Sequence, residues 1–134
     1  MQIGEEFGPF SLTVTREQLV RYAGAADDYN PIHYDDEAAR SFGLPGVIVH
    51  GMLNMGIISR LVLEAMPANT RLMKYTVRFR QMVQPGDVLE VVARVRQWDK
   101  RTAVLDVQLG RTDDRPAVSG RMVVQVDSSS TDNG

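Results

Sequence analysis

Residues 50–66 read HGMLNMGIISRLVLEAM, and this stretch decides the fold. The polar side chains that follow its opening histidine are few: Asn54, Ser59, Arg60 and Glu64. A helix that is apolar on nearly every side is typical of a buried helix, and Pro67 indicates where it ends. At about 1.5 Å per residue, the stretch predicts a central helix about 25 Å long, comparable to the diameter of a small domain.

On the C-terminal side of this helix, the apolar residues alternate with polar ones, as in a half-buried strand. Alternating segments occupy residues 71–83, 88–98, 102–112 and 116–126, with turn-forming residues between them. FSLTVT, at residues 10–15, is a candidate fifth strand. Such a sheet has one apolar face, and the 50–66 helix is its only large apolar partner. The predicted fold is α+β: an antiparallel sheet of about five strands, following one another along the chain, wrapped around one long central helix.

The size and composition of the chain limit its functions. With 134 residues and 43% hydrophobic residues, it is expected to form one domain over residues 1–126, followed by a disordered tail at 127–134. A formal charge of -2 argues against nucleic-acid binding, and the absence of cysteine excludes disulfides and thiolate metal sites. No apolar run approaches the roughly 20 residues that span a bilayer. We expect a cytoplasmic protein with no membrane partner.

Two short helices are expected before the long one. TREQ, at residues 15–18, is a capping box, which predicts a helix from about Arg16 that fails near Gly24. Asp35 is a candidate N-cap for a second helix over DEAARSF. The polar stretch between the two helices would be held at both ends.

That polar stretch, DDYNPIHYD at residues 27–35, carries the candidate chemistry. The chain has two histidines, His33 and His50, and both lie near its aspartates in sequence. A general acid–base pair must be held in place to act, although a solvated surface loop would have the same composition. Gly51 would begin the buried helix, where unpaired N–H groups and the helix dipole can stabilise an oxyanion. Close packing of the helix against the sheet is the alternative use of this glycine.

YAGAADDYNPIH at residues 22–33, followed seventeen residues later by HGM, resembles the MaoC-like dehydratases. This family includes the (R)-specific enoyl-CoA hydratases and the (R)-3-hydroxyacyl dehydratases of fatty-acid elongation. Its signature is approximately Y-A-x-x-x-x-D-x-N-P-[IL]-H, which this sequence fits without a gap, and the resemblance extends over residues 4–126. It implies the hot-dog fold, which is the helix-in-sheet arrangement that the periodicity also predicts.

The resemblance implies a catalytic pair formed by Asp28 and His33. Asn30 lies between them as a supporting residue, in the Asn-Pro step of the motif. Asp27 is the neighbour of the catalytic aspartate and has no role of its own in the motif.

The same resemblance assigns the oxyanion donor to the backbone N–H of Gly51. It also assigns Ser59, eight residues further along the helix, to a role in ordering the site. A serine in a buried helix commonly bonds to its own helix backbone, which is the alternative for Ser59. We expect His50 to help set the start of the helix rather than to take part in the chemistry.

The implied activity is the reversible hydration of 2-enoyl thioesters to (R)-3-hydroxyacyl thioesters. It needs no metal and no cofactor beyond the coenzyme A or acyl carrier protein that carries the acyl group. A dimer is implied, either of identical chains or with a related subunit. Two alternatives stay open: a hot-dog acyl thioesterase, and a non-catalytic acyl-binding subunit of a heteromeric dehydratase.

Overall fold

The computed structural model describes residues 1–26, 30–44, 46–112 and 114–127. The elements, in chain order, are β1 (Glu6–Leu12), α1 (Arg16–Ala26), a 3₁₀ turn (Pro31–His33), α2 (Asp36–Ser41), α3 (Gly51–Glu64), β2 (Thr70–Phe79), β3 (Leu89–Trp98), β4 (Thr102–Arg111) and β5 (Pro116–Val126). None of the helices in these ranges is long and apolar enough to cross a membrane.

The strands form one antiparallel five-stranded sheet in the order β1-β3-β4-β5-β2. Alternate residues of the central strands point into the core, as the period of two predicts. The fully buried ones on β3 and β4 are Leu89, Val91, Ala93, Val95, Ala103, Leu105, Val107 and Leu109. The α+β class and the sheet-on-helix architecture are therefore confirmed.

Contrary to the prediction from the sequence, strand β2 does not lie next to β3, the strand that follows it in the chain. It pairs with β5 at one edge of the sheet, whereas β3, β4 and β5 are consecutive neighbours. The reason is that residues 80–88 form a crossover rather than a hairpin. Val83 of this crossover is buried, and its carbonyl accepts a hydrogen bond from the N–H of Val49 at 2.6 Å. β2 also ends at Phe79, earlier than predicted, and β1 begins at Glu6, before the predicted residue 10.

Helix α3 is buried along one stripe and not on every side. Its buried side chains are Asn54, Ile58 and Val62, which recur every four residues on the face toward the sheet. Met52, in contrast, is 62% exposed. The expectation of burial on all sides is wrong for the chain alone, because the sheet covers only one side of the helix.

The two short helices begin where the sequence predicts. In the capping box, the N–H of Gln18 donates to Thr15 Oγ1 at 3.1 Å, and the N–H of Thr15 donates to Gln18 Oε1 at 2.7 Å. Asp35 caps α2 by accepting from two N–H groups of its first turn at 3.0 and 3.3 Å. Helix α1 continues past Gly24 to Ala26, since one glycine costs a helix only about 1 kcal/mol.

The end of the chain can be described as far as Asp127. Its backbone N–H donates to the carbonyl of Asn69 at 3.2 Å, and its carboxylate forms a 3.1 Å ion pair with Arg71. The rest of the predicted tail, residues 128–134, lies outside the described residues.

Candidate active site

The Asn-Pro step builds the turn that presents His33. Asn30 precedes Pro31, and proline at the first position of a helix has the backbone angle that the helix needs. The carbonyl of Asn30 accepts from the N–H of His33 at 3.1 Å, and its Oδ1 accepts from the N–H of Ile32 at 3.3 Å. Asn30 therefore caps the 3₁₀ turn. This structural role explains the spacing of three residues between Asn30 and His33.

Residues 47–49 hold this turn against the start of α3. The N–H of Ile48 donates to the carbonyl of Ile32 at 3.0 Å, while the N–H of Val49 donates to Val83 in the crossover. The segment is therefore bonded on one side to the turn and on the other side to the rest of the fold. Because it leads directly into α3, it sets where the helix begins relative to His33.

Asp36 secures the other end of this segment. One of its carboxylate oxygens accepts from the N–H of Val47 at 3.0 Å, and Arg16 forms a 3.0 Å ion pair with the other. The hydrogen bond from Val47, followed by the interactions with Arg16, lowers the pKa of the Asp36 carboxyl below its ordinary value. Helix α1, helix α2 and the segment before α3 thus meet at one ionised side chain.

His33 is oriented by a hydrogen bond from its ring. Its Nδ1 lies 2.9 Å from the backbone carbonyl oxygen of Ile48. A carbonyl oxygen can only accept, so Nδ1 carries the proton of this bond. In the neutral ring, Nε2 is then the nitrogen with the lone pair, as a general base requires.

A second histidine ring lies against the first. The rings of His33 and His50 are stacked, with centroids 3.7 Å apart and an interplanar angle of 21°. His50 is only 2% exposed, and its ring centroid lies 4.7 Å from that of Tyr22 in an edge-to-face arrangement at an angle of 63°. Sequence reasoning placed His50 at the start of the helix and gave Tyr22 no role. The available signal was that Tyr22 opens the same motif that ends at His33.

Gly51 is the first residue of α3, and its N-cap, His50, makes no side-chain hydrogen bond to the first turn. A Cβ atom at Gly51 would lie 3.1 and 3.2 Å from ring carbons of Phe79 on β2. Contacts this short favour a glycine unless the ring of Phe79, which is 51% exposed, shifts by a few tenths of an ångström, so close packing is one reason for the residue. The assignment of its N–H to an oxyanion stays a prediction.

Ser59 makes the contact that the alternative interpretation expects. Its hydroxyl donates to the carbonyl of Gly56, three residues earlier in the same helix, at 3.0 Å. Its role in ordering the site stays a prediction. Asp28, the predicted partner of His33, lies outside the described residues. Among the residues that are described, no three His, Asp or Glu side chains come together as metal ligands.

Comparison with known proteins identifies relatives of this arrangement. A probable enoyl-CoA hydratase 2 of Dictyostelium discoideum is 35% identical over 95 residues, which is 67% of this chain and 32% of that protein. The chain thus spans about a third of the length of that relative.

Solved structures share the fold over nearly the whole chain. The (R)-hydratase from A. caviae involved in PHA biosynthesis has a TM-score of 0.88 at 23% identity, covering 95% of this chain and 98% of that one. The C-terminally truncated HadBC (3R-hydroxyacyl-ACP dehydratase) complex from Mycobacterium tuberculosis has a TM-score of 0.76 at 17% identity, covering 91% and 96%. The fold is therefore the predicted hot-dog fold.

A family model described as the MaoC like domain matches residues 1–114. This range contains the turn at His33, the first turn of α3 and four of the five strands, so it includes the candidate site as well as most of the core. The chain therefore belongs to the MaoC-like domain family.

Proposed function

We propose that the chain is a hydro-lyase that adds water to 2-enoyl thioesters to form (R)-3-hydroxyacyl thioesters, or catalyses the reverse dehydration. The reaction needs a base to activate water for attack at the β carbon, an acid to protonate the α carbon, and a donor for the enolate oxygen. The relatives named as hydratases and dehydratases support this reaction class. The proposal requires no metal and no cofactor other than the carrier of the acyl group.

The orientation of His33 is the observation that carries the proposal. Its Nδ1 donates to a backbone carbonyl, so its neutral ring can accept a proton at Nε2 and return it later. An imidazole can serve as both acid and base in one reaction.

The N–H of Gly51 is proposed to serve the same substrate. His33 stacks directly on His50, and Gly51 is the next residue, with consecutive Cα atoms about 3.8 Å apart. The N–H groups of the first turn of α3 have no partner within the helix, and the positive end of the helix dipole lies there. We assign Gly51 N–H to the thioester oxygen, where a single donor typically contributes about 10²- to 10³-fold in rate.

Asp28 completes the acid–base pair in this proposal. An aspartate and a histidine five residues apart, with the Asn-Pro turn between them, fit the family signature. We assign the two proton transfers to Asp28 and His33 jointly, and Asp27 has no part in them. Asn30 supports the pair by capping the turn, and Ser59 is proposed to help order the site from α3.

We further propose that the protein acts as a dimer through the β2 edge, which comprises the free side of strand β2 and the adjoining surface of α3. The exposed apolar side chains of β2 are Leu72, Met73 and Phe79, at 38%, 56% and 51% exposed. Met52 of α3 is similarly exposed, at 62%. An unpaired strand edge with apolar side chains favours association with another chain. The partner is a second copy or a related subunit; the HadBC complex supports the latter form.

Sedimentation of Met73→Glu tests this interface. The added charge should shift the protein from dimer to monomer at micromolar concentration. Lys74→Glu, on the same strand, is the matched control and should leave the dimer intact because Lys74 is not part of the apolar surface. A monomeric unmodified protein would contradict the proposal.

One assay separates the proposed activity from its alternatives. The protein is incubated with crotonyl-CoA and a longer 2-enoyl-CoA, and the loss of conjugated absorbance and the release of free thiol are followed separately. Absorbance loss without thiol supports hydration, whereas thiol release would identify a thioesterase. Neither signal, with a related subunit also present, would identify a non-catalytic acyl-binding subunit. Chiral chromatography of the product tests the (R) configuration.

Four variants test the residue assignment. Asp28→Asn and His33→Ala should each abolish most hydration with an unchanged circular dichroism spectrum, and the double variant should be scarcely worse than either. Asp27→Asn is the matched control and should retain most activity. If Asp27→Asn were as damaging as Asp28→Asn, the assigned register of the motif would be wrong.

A further inference from the structure

Three aromatic rings, those of His33, His50 and Tyr22, meet at the candidate base. His50 is in the middle: its ring centroid lies 3.7 Å from that of the stacked His33 ring and 4.7 Å from that of Tyr22, in an edge-to-face arrangement. His50 is 2% exposed, and together with Asn54, at 3%, it makes up the buried polar side chains recorded among the described residues.

We infer that His50 is a positioning residue for His33, whose ring it holds in one orientation by presenting a fixed flat surface. The inference rests on the proposed function and deepens it, since it adds a residue that acts on the base rather than on the substrate. It differs from the expectation that His50 only sets the start of the helix. What the role requires of His50 is its flat ring, not a proton of its own.

The hydrogen bond to Ile48 cannot orient His33 by itself. One bond from Nδ1 sets the tautomer only while it forms, and the ring can still rotate about the line between that nitrogen and the carbonyl oxygen until the bond breaks. A flat surface parallel to the ring, here at an interplanar angle of 21°, removes that rotation. The two contacts together determine where Nε2 points.

His50 is itself well fixed. Its carbonyl accepts the N–H of Asn54 at 3.1 Å as the first bond of α3, and the preceding residue, Val49, is bonded to Val83 of the crossover. Tyr22 of α1 contacts the ring as well. Three parts of the fold thus determine the position of one ring, which transmits that position to His33.

The reaction is sensitive to this orientation. A general base must lie within about 2.6–3.2 Å of the atom that carries the proton it takes, and a displacement of about 1 Å can cost about 10²-fold in rate. Because His50 contacts the base rather than the substrate, its loss should lower kcat and leave KM nearly unchanged.

Two substitutions at position 50 distinguish the effect of a flat aromatic ring from the effect of simply filling the same space. His50→Leu fills similar space without a flat surface and should lower kcat by about 10- to 100-fold, with KM changed less than about 3-fold. His50→Phe restores an aromatic surface and should recover most of the kcat lost in His50→Leu. Val62→Ala, in the buried stripe of the same helix, is the control for lost stability: it should lower the unfolding midpoint without changing kcat.

Nitrogen-15 NMR of the imidazole provides a readout that does not depend on turnover. In either variant His33 is the only histidine left in the chain, so its ring signals are unambiguous. In His50→Phe, the neutral ring should keep the Nδ1–H tautomer, as the unmodified protein does. In His50→Leu, the shifts should move toward the average of a ring that exchanges between tautomers.

The outcomes distinguish this inference from the proposed function. If the unmodified protein does not hydrate enoyl thioesters, the proposed function fails, while the NMR comparison still decides whether His50 orients His33. If His50→Leu keeps both the Nδ1–H tautomer and the full kcat, the inference is overturned. A loss of kcat in Val62→Ala equal to that in His50→Leu would also overturn it, because general destabilisation would then explain the effect.

Discussion

Truncation of Val62 to alanine should show that the buried stripe of α3 is the centre of stability. Val62 is fully buried, at 0% exposed. The substitution removes two methyl groups, worth about 0.8 kcal/mol each in transfer free energy. The unfilled space adds about 1 kcal/mol, and the higher helix propensity of alanine returns about 0.5 kcal/mol. The free energy of unfolding should therefore fall by about 2 kcal/mol.

Val20→Ala is the matched control, since Val20 lies on helix α1 but is 58% exposed. Its free energy of unfolding should stay within about 0.5 kcal/mol of the unmodified protein. Urea denaturation at one fixed protein concentration measures both variants, because association also affects apparent stability. Equal losses for the two variants, or no loss for Val62→Ala, would refute the assignment of α3 as the core of the fold.

Three further predictions concern single side chains outside the core stripe. Because the pKa of the Asp36 carboxyl is lowered, its stabilising effect is complete above its unfolded pKa and is lost as the pH falls through the folded value. The stability difference between the unmodified protein and Asp36→Asn should therefore narrow in urea denaturation below about pH 4, and a constant difference would contradict this. The hydroxyl of Tyr75 donates to the carbonyl of Met55 on α3 at 2.7 Å, so Tyr75→Phe should cost about 1 kcal/mol in thermal unfolding, and no loss would contradict it. Lys100 has a left-handed φ of 74°, which glycine adopts without backbone strain. Lys100→Gly should therefore raise the free energy of unfolding by up to about 1 kcal/mol, whereas Lys74→Gly, in strand β2, should lower it by about as much. Changes of the same sign would show that the backbone at Lys100 is not strained.

The elements of this fold are visible in the sequence because each follows from local patterns. Alternating residues predict the strands, and Thr15 with Gln18 predicts the start of α1 before any tertiary contact is considered. The position of β2 is different, because it depends on the crossover that Val83 bonds to Val49, far away in sequence. The exposed side of α3 was also beyond local reasoning, since an apolar helix surface reads the same whether this chain or another one covers it.

The candidate site divides in the same way. His33 and Gly51 could be selected from the sequence because their residue types carry the chemistry and the family motif. The carbonyl of Ile48 could not, because every residue has a carbonyl and only the fold decides which one faces the ring. The stack of His50 on His33 likewise requires two segments seventeen residues apart to converge.

The chemistry and the stability of this protein are supported by different interactions. His33 lies on a three-residue turn. Its own N–H donates to the carbonyl of Asn30, the carbonyl of Ile32 accepts from the N–H of Ile48, and the His33 side chain is only partly buried. The core consists instead of apolar side chains from the sheet and one stripe of α3. A substitution of the His33 side chain therefore removes a reactive group without opening a cavity in the core. The orientation of that group depends on the segment between the turn and α3, so the start of this helix links the fold to the chemistry.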